Sequence, residues 1–469
     1  MKDLVTRRAV ISFTWVVGVF LIIIVTHQLY THYLSFERAG PMTMKDLKLQ
    51  QYQKVEGIIN IQSWMNADGV KVYFVEAPQL PMVDIELVFD AGTARNKDER
   101  PLSYLANALL DQGSQKFSAD EIAEKFEAVG AQFSAGTQQD MATIHLRSLT
   151  DEKALRAALS LFSEVVAHPR YDAESVDREK QNTITTLKYQ SQKPASVMRR
   201  AFYETLYANG PYGHWTLGSE KGVEAIKAKD LKAFHHEFYV KSNVSIVLVG
   251  NLSLEQANKI SLDVIAQLPN GEAPQPLVAV PSSKVDSKTI EFASTQTHMA
   301  LGMPALTRED KDYFPLVVGN HILGGSSQNN RIFDTVRGEH GLAYSAYSHF
   351  VPMKVAGPFM VVCQTQNKNA KKAKKVIETL IHDFVKKGPT EQELIDAKKN
   401  ILGGYALRFD SNESITGQLS YLAFYQLPLE YFNQYQAAVE KVSLPEIQAA
   451  YQNKISLENM GWIIVGESL

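Results

Sequence analysis

The sequence predicts an α+β fold in which one layered unit of mostly antiparallel strands and helices is built twice, and three observations carry this. Val70, Val72 and Phe74, then Val83, Ile85, Leu87 and Phe89, alternate with polar residues as half-buried strands do; residues 142–149 and 245–249 read as further strands. Ser118 with Glu121, Ser253 with Gln256, Thr390 with Glu393 and Ser443 with Glu446 are capping-box pairs, in which side chains satisfy the free N–H groups that open a helix. Finally, Ile246-Val247-Leu248-Val249-Gly250 returns as Ile463-Ile464-Val465-Gly466, its glycine 216 residues later, and Val176-Asp177 with Lys180 returns as Ile395-Asp396 with Lys399 at an offset of 219. Nearly equal offsets point to a duplicated α/β sandwich domain of about 200 residues.

At 469 residues the chain exceeds one typical core, and 45% hydrophobic with 21% charged residues is an ordinary globular balance. A net charge of −3 leaves no basic excess to neutralise phosphates, which argues against nucleic acid as a partner. Cys363 is the only cysteine, so neither an intrachain disulfide nor a cysteine-based zinc site can form.

Residues 9–25 are apolar apart from Ser12, Thr14 and Gly18, and Lys2, Arg7 and Arg8 precede them. Extended to Leu34, with Tyr30 and Tyr33 as interfacial aromatics, the stretch is long enough to span a bilayer. Thr26-His27-Gln28-Leu29-Tyr30 lacks the small residues of a cleavage site, so an uncleaved anchor is preferred to a signal peptide. The expected layout is a cytoplasmic N-terminus and anchor over 1–34, a linker over 35–52, and an N-terminal domain over 53–268. A second linker over 269–286 follows, marked by Pro269, Pro274, Pro276, Pro281 and Asn270-Gly271, and then a C-terminal domain over 287–469. This layout implies a single-pass protein of the inner membrane with its domains facing the periplasm.

The strand ending in Ala91-Gly92-Thr93, a polar loop, and then Pro101-Leu102-Ser103-Tyr104-Leu105-Ala106-Asn107-Ala108-Leu109-Leu110-Asp111-Gln112-Gly113-Ser114 resemble the N-terminal domain of the pitrilysin/insulysin metallopeptidases, the inverzincins, which include mitochondrial-processing-peptidase-like members. Active members carry H-x-x-E-H on this helix: two histidines bind zinc from one face and the glutamate acts as base. Here those positions are Tyr104, Asn107 and Ala108. Helical spacing puts Leu102, Leu105, Ala106, Leu109 and Leu110 on a core face and Tyr104, Asn107, Ala108 and Asp111 opposite it. The family's third ligand, a glutamate seven residues after an earlier one that matches Glu179, falls on Thr186. The resemblance therefore implies a degenerate site with no metal. None of the twelve histidines begins H-x-x-E-H or H-E-x-x-H, and His235-His236-Glu237 reads as a surface helix end.

A second motif survives. Ile322-Leu323-Gly324-Gly325-Ser326-Ser327, then a run from Arg331 through Arg337 and Gly338 to Gly341-Leu342-Ala343-Tyr344, resembles the family's C-terminal signature. There an arginine and a tyrosine seven residues later reach toward a zinc site, and Arg337 and Tyr344 have that spacing. The resemblance implies that Arg337 holds substrate carbonyls and that Tyr344 donates to the oxyanion. It also implies a peptide-pairing edge strand near residues 138–146, with Gln138, Asp140, Ala142 and Thr143 as substrate contacts. The function expected is the non-catalytic subunit of a two-chain peptidase, supplying Arg337 and Tyr344 in trans to a homologous H-x-x-E-H subunit that holds the zinc. The alternative is a membrane-anchored peptide-binding or scaffolding pseudopeptidase of the cell envelope.

Overall fold

The computed structural model describes residues 49–208, 210–278, 284–325 and 330–467. The strands are β1 (Gln50–Val55), β2 (Ile61–Met65), β3 (Lys71–Glu76), β4 (Met82–Phe89), β5 (Gln132–Thr137), β6 (Ala142–Leu149), β7 (Val244–Gly250), β8 (Lys288–Glu291), β9 (Gln296–Leu306), β10 (Ala343–Phe350), β11 (Gly357–Gln366) and β12 (Gly461–Gly466). They form two mixed sheets, ordered β1-β2-β3-β7-β4-β6-β5 and β10-β11-β9-β12-β8. The α+β class is thus observed.

The two sheets repeat one topology. Read from β8, the second runs β8-β12-β9-β11-β10, matching β3-β7-β4-β6-β5 of the first. In each sheet one joint is parallel, β3 with β7 and β12 with β8, and the joints from there on are antiparallel. β7 and β12 are buried along almost their whole length, as near-continuous apolar runs in the interior of a sheet should be. Their closing glycines, the repeat seen in the sequence, have a packing cause. A Cβ on Gly250 would lie 2.4 Å from the Met82 carbonyl oxygen, and one on Gly466 would lie 2.8 Å from Thr297 Oγ1, so each neighbouring strand approaches too closely for a side chain.

The helices are exchanged between the sheets. The Pro194–Tyr207 helix packs on β9 and β12 of the second sheet, where Phe202 shares one core with Met299, Leu301 and Ile463. The Asn412–Phe424 helix packs on β4 and β7 of the first, where Leu419 and Leu422 share a core with Val247 and Val249. Residues Gln50–Leu469 accordingly cluster as a single compact unit. All four capping boxes form at the expected helix starts.

Two expectations are corrected. The first is the single-pass inner-membrane placement with periplasmic domains. Among the described residues no helix is long and apolar enough to cross a membrane, and residues 1–34 lie outside those described. The second concerns the sheet edge. The strand over residues 142–149 is interior, held by β4 on one side and β5 on the other, and the edge is β5. The tight reversal between β5 and β6, where the Gln138 N–H donates to the Met141 carbonyl at 2.8 Å, folds Gln132–Thr137 outward as the last strand.

Candidate functional site

The short Leu102–Ala108 helix carries Tyr104, Asn107 and Ala108, the positions that the resemblance assigns to the metal site. Its core face is as expected, with Leu105, Ala106, Leu109 and Leu110 buried. Asn107 is not on an open face, however; it is 1% exposed. Its Nδ2 donates to the Gly136 carbonyl at 2.7 Å and to Thr137 Oγ1 at 3.2 Å, and its Oδ1 accepts from the Tyr239 hydroxyl at 3.0 Å. Asn107 is thus a strut that fastens the edge strand β5 to the helical layer. Helical periodicity could not reveal this, because the burying partners come from residues far away in sequence.

Tyr104 packs with Trp215 against Ile184, Leu187, Leu217 and Val223. Burial, and then the Glu179 carboxylate beside it, push its hydroxyl pKa above the ordinary tyrosine value. Thr186 is exposed and turns its hydroxyl back to the Asn182 carbonyl at 2.9 Å within its own helix. Zinc does not fit this set: Ala108 has no donor atom, Asn107 is fully engaged, and Thr186 bonds its own backbone. Among the described residues no group of three or more His, Cys, Asp or Glu could hold a metal ion. His235 is another correction. It is buried, its Nε2 lies 2.8 Å from the Val166 carbonyl, and burial lowers its pKa to about 4.

Replacing Asn107 with alanine is expected to destabilise the fold by about 1–3 kcal/mol, because the buried Tyr239 hydroxyl and the Gly136 carbonyl lose their partner. Urea denaturation measures this, and an unchanged midpoint would show that the strut carries no load.

The proposed substrate contacts separate into two groups. Gln138 and Thr143 line a cleft of about 430 Å³ between the face of the first sheet and the Asn412–Phe424 helix. Asp140 and Ala142 do not reach it. Ala142 is fully buried between Phe89 and Thr137. Asp140 is 3% exposed; its Oδ1 accepts from the Tyr212 hydroxyl at 2.6 Å, and its Oδ2 accepts from the Tyr425 hydroxyl at 2.8 Å and the Lys354 backbone N–H at 2.9 Å. It is an internal clamp between segments far apart in sequence. No sequence signal marks it, since its partners lie at separations of 72, 214 and 285 residues.

Arg337 and Tyr344 are brought together. Tyr344 lies in β10, the last strand of the second sheet and the counterpart of β5 in the first. Ala343 pairs with Thr365 and Ser345 with the adjacent Gln364, so Tyr344 is the extra residue of a β-bulge. A bulge turns a side chain away from the pleat, and Tyr344 is 82% exposed. The Arg337 guanidinium sits 4.7 Å from the Tyr344 ring centre and 4.9 Å from that of Phe333. An arginine stacked between two rings is held in place while its N–H groups stay free to meet carbonyl oxygens.

Fold and site together engage Tyr104 in packing and Asn107 in hydrogen bonds, and leave Arg337 and Tyr344 exposed on a scaffold of two repeated sheets. Residues 71–220 match the insulinase domain of peptidase family M16, and residues 225–401 match the peptidase M16 inactive domain. The chain belongs to peptidase family M16. It is similar to the peptidase M16 inactive domain from Pseudomonas fluorescens, known from a crystal structure, with 36% identity, a TM-score of 0.84, and coverage of 88% of this chain and 98% of that one. It is 26% identical over 406 residues to the non-peptidase homolog YmxG of Helicobacter pylori, covering 86% of this chain and 93% of the relative. The uncharacterized zinc protease YmxG of Bacillus subtilis is 25% identical over 357 residues, covering 76% and 86%.

Proposed function

We propose that this chain is the non-catalytic subunit of a two-chain zinc peptidase. It presents Arg337 and Tyr344 to a peptide whose scissile bond lies at the metal of a homologous H-x-x-E-H partner. The observation that supports this reading is an asymmetry. Asn107, at the position of the base, is committed to the fold by its hydrogen bonds, whereas Arg337 and Tyr344 are exposed and stacked on each other beside an open sheet edge. A chain that only held or scaffolded peptides would have no use for the Tyr344 hydroxyl.

Reconstitution tests the proposal. The chain alone is expected to hold no stoichiometric zinc after dialysis and to hydrolyse no peptide. Mixed with a homologous H-x-x-E-H chain, it is expected to form a complex whose peptide turnover exceeds that of either chain alone. One tightly held zinc per copy of this chain, or chelator-sensitive hydrolysis without a partner, would overturn the proposal.

A further inference from the structure

The second sheet carries a cleft of its own, about 470 Å³, between its open face and the Pro194–Tyr207 helix. It is the repeat of the cleft on the first sheet. Met141, Thr143 and His145 line one, and Met360, Val362 and Gln364, each 219 positions later, line the other. Met198, Arg199 and Tyr203 stand 218 positions before Thr416, Gly417 and Tyr421 in the same way.

The chemistry of the two clefts has diverged. The first is acidic: Glu86 and Glu413 line it, and its His145 is held at 2.9 Å by Asp84. The second is lined by Arg199, His298 and His349 and by no carboxylate. Among the described residues the side chains of Arg199, His298 and His349 make no hydrogen bond or ion pair with the protein. Three nitrogen-bearing side chains without an acceptor, around one cleft, form an incomplete set. We propose that this cleft binds a carboxylate of an extended peptide, either an acidic side chain or a free C-terminus.

The peptide part of the proposal comes from the strand that forms one wall. Ser345, Tyr347 and His349 alternate into the cleft from β10, the last strand of its sheet. A peptide added to that edge would send every second side chain the same way. Met198, Met360 and Trp215 supply apolar walls beside these groups.

Burial lowers the pKa of His298, and burial followed by the charge of Arg199 lowers that of His349. The groups facing them are Arg199 and Tyr203 from the helix, Tyr347 from β10, and Gln364 from β11. Near neutral pH both rings are therefore neutral, and Arg199 provides the fixed charge. An entering carboxylate favours the protonated rings, so binding takes up protons and tightens as pH falls. This site is separate from Arg337 and Tyr344 and is tested on the chain alone, so its failure leaves the two-chain proposal standing, and the reverse also holds.

The test is fluorescence anisotropy with three labelled β-forming peptides: one with a central Glu and an amidated C-terminus, its Gln counterpart, and the Gln peptide with a free C-terminal carboxylate. At least one carboxylate peptide is expected to bind about tenfold more tightly than the neutral one, with the preference growing from about pH 8 to about pH 6. Which of the two gains affinity identifies the source of the carboxylate. R199Q is expected to abolish the preference, and R199K to keep part of it; Arg199 is exposed, so the fold tolerates both. Equal binding of all three peptides, no binding of any, or a preference that persists in both R199Q and H349Q would overturn the proposal.

Discussion

Tyr344→Phe is expected to lower peptide turnover by the two-chain complex roughly 10²–10³-fold, about 2.7–4 kcal/mol of lost transition-state stabilisation. The substitution deletes one hydroxyl and leaves the ring that stacks on Arg337 at 4.7 Å. Tyr344 is 82% exposed, so its hydroxyl has no structural duty inside this chain, and stability should not change. Because a donor to a developing oxyanion acts mainly in the transition state, KM should move much less than kcat. Arg337→Ala removes the guanidinium that is proposed to meet ground-state carbonyls, so it should raise KM as well. The measurement is steady-state turnover by the reconstituted pair, with complex formation checked by size exclusion. Turnover within about twofold of the parent in an intact complex would end the shared-site proposal.

Asp140→Ala is expected to destabilise the fold by about 3–5 kcal/mol. The carboxylate receives three donors: the hydroxyls of Tyr212 and Tyr425 and the Lys354 backbone N–H. Burial, then the Asp140 charge, push both tyrosine hydroxyls well above their ordinary pKa, so they remain donors at any ordinary pH. Alanine leaves all three donors buried without an acceptor. Asp140→Asn should cost about 1–2 kcal/mol, because its oxygen can still serve the two donors on the Oδ2 side. Its amide would then face Tyr212, whose oxygen already accepts from the Val355 N–H at 3.2 Å and has a second lone pair to offer. Urea midpoints for the two variants test this. Equal and small losses would mean that the clamp is not holding the second sheet's segments to the β5–β6 turn.

Local chemistry explains what could be read in the chain alone. The strand over 142–149 alternates because one face of it is more deeply buried than the other, and that period is written in neighbouring residues, whereas the strand over 82–89 is buried on both faces for most of its length. The capping boxes at Ser118, Ser253, Thr390 and Ser443 were legible because both partners lie within one helical turn. The nature of a side chain alone decides whether it can be a ligand, so it was legible that Ala108 has no donor wherever it points. The repeated strand-to-glycine pattern correctly signalled one topology used twice.

Other features depended on contacts between distant segments, and only the tertiary structure decided them. Periodicity assigned Asn107 to the face opposite the core, but Gly136 and Tyr239, 29 and 132 residues away, bury it. Asp140 looked like a substrate contact until Tyr425, 285 residues on, closed over it. Which strand forms a sheet edge depends on the order of pairing, which alternation within a strand does not encode; β5 took that place rather than β6. Exchange of the Pro194–Tyr207 and Asn412–Phe424 helices between sheets is likewise set by packing across the whole chain. The residue types along the chain determined which side chains have a donor atom to offer. The way the two copies fold against each other determined which side chains are struts and which, like Arg337 and Tyr344, stay exposed.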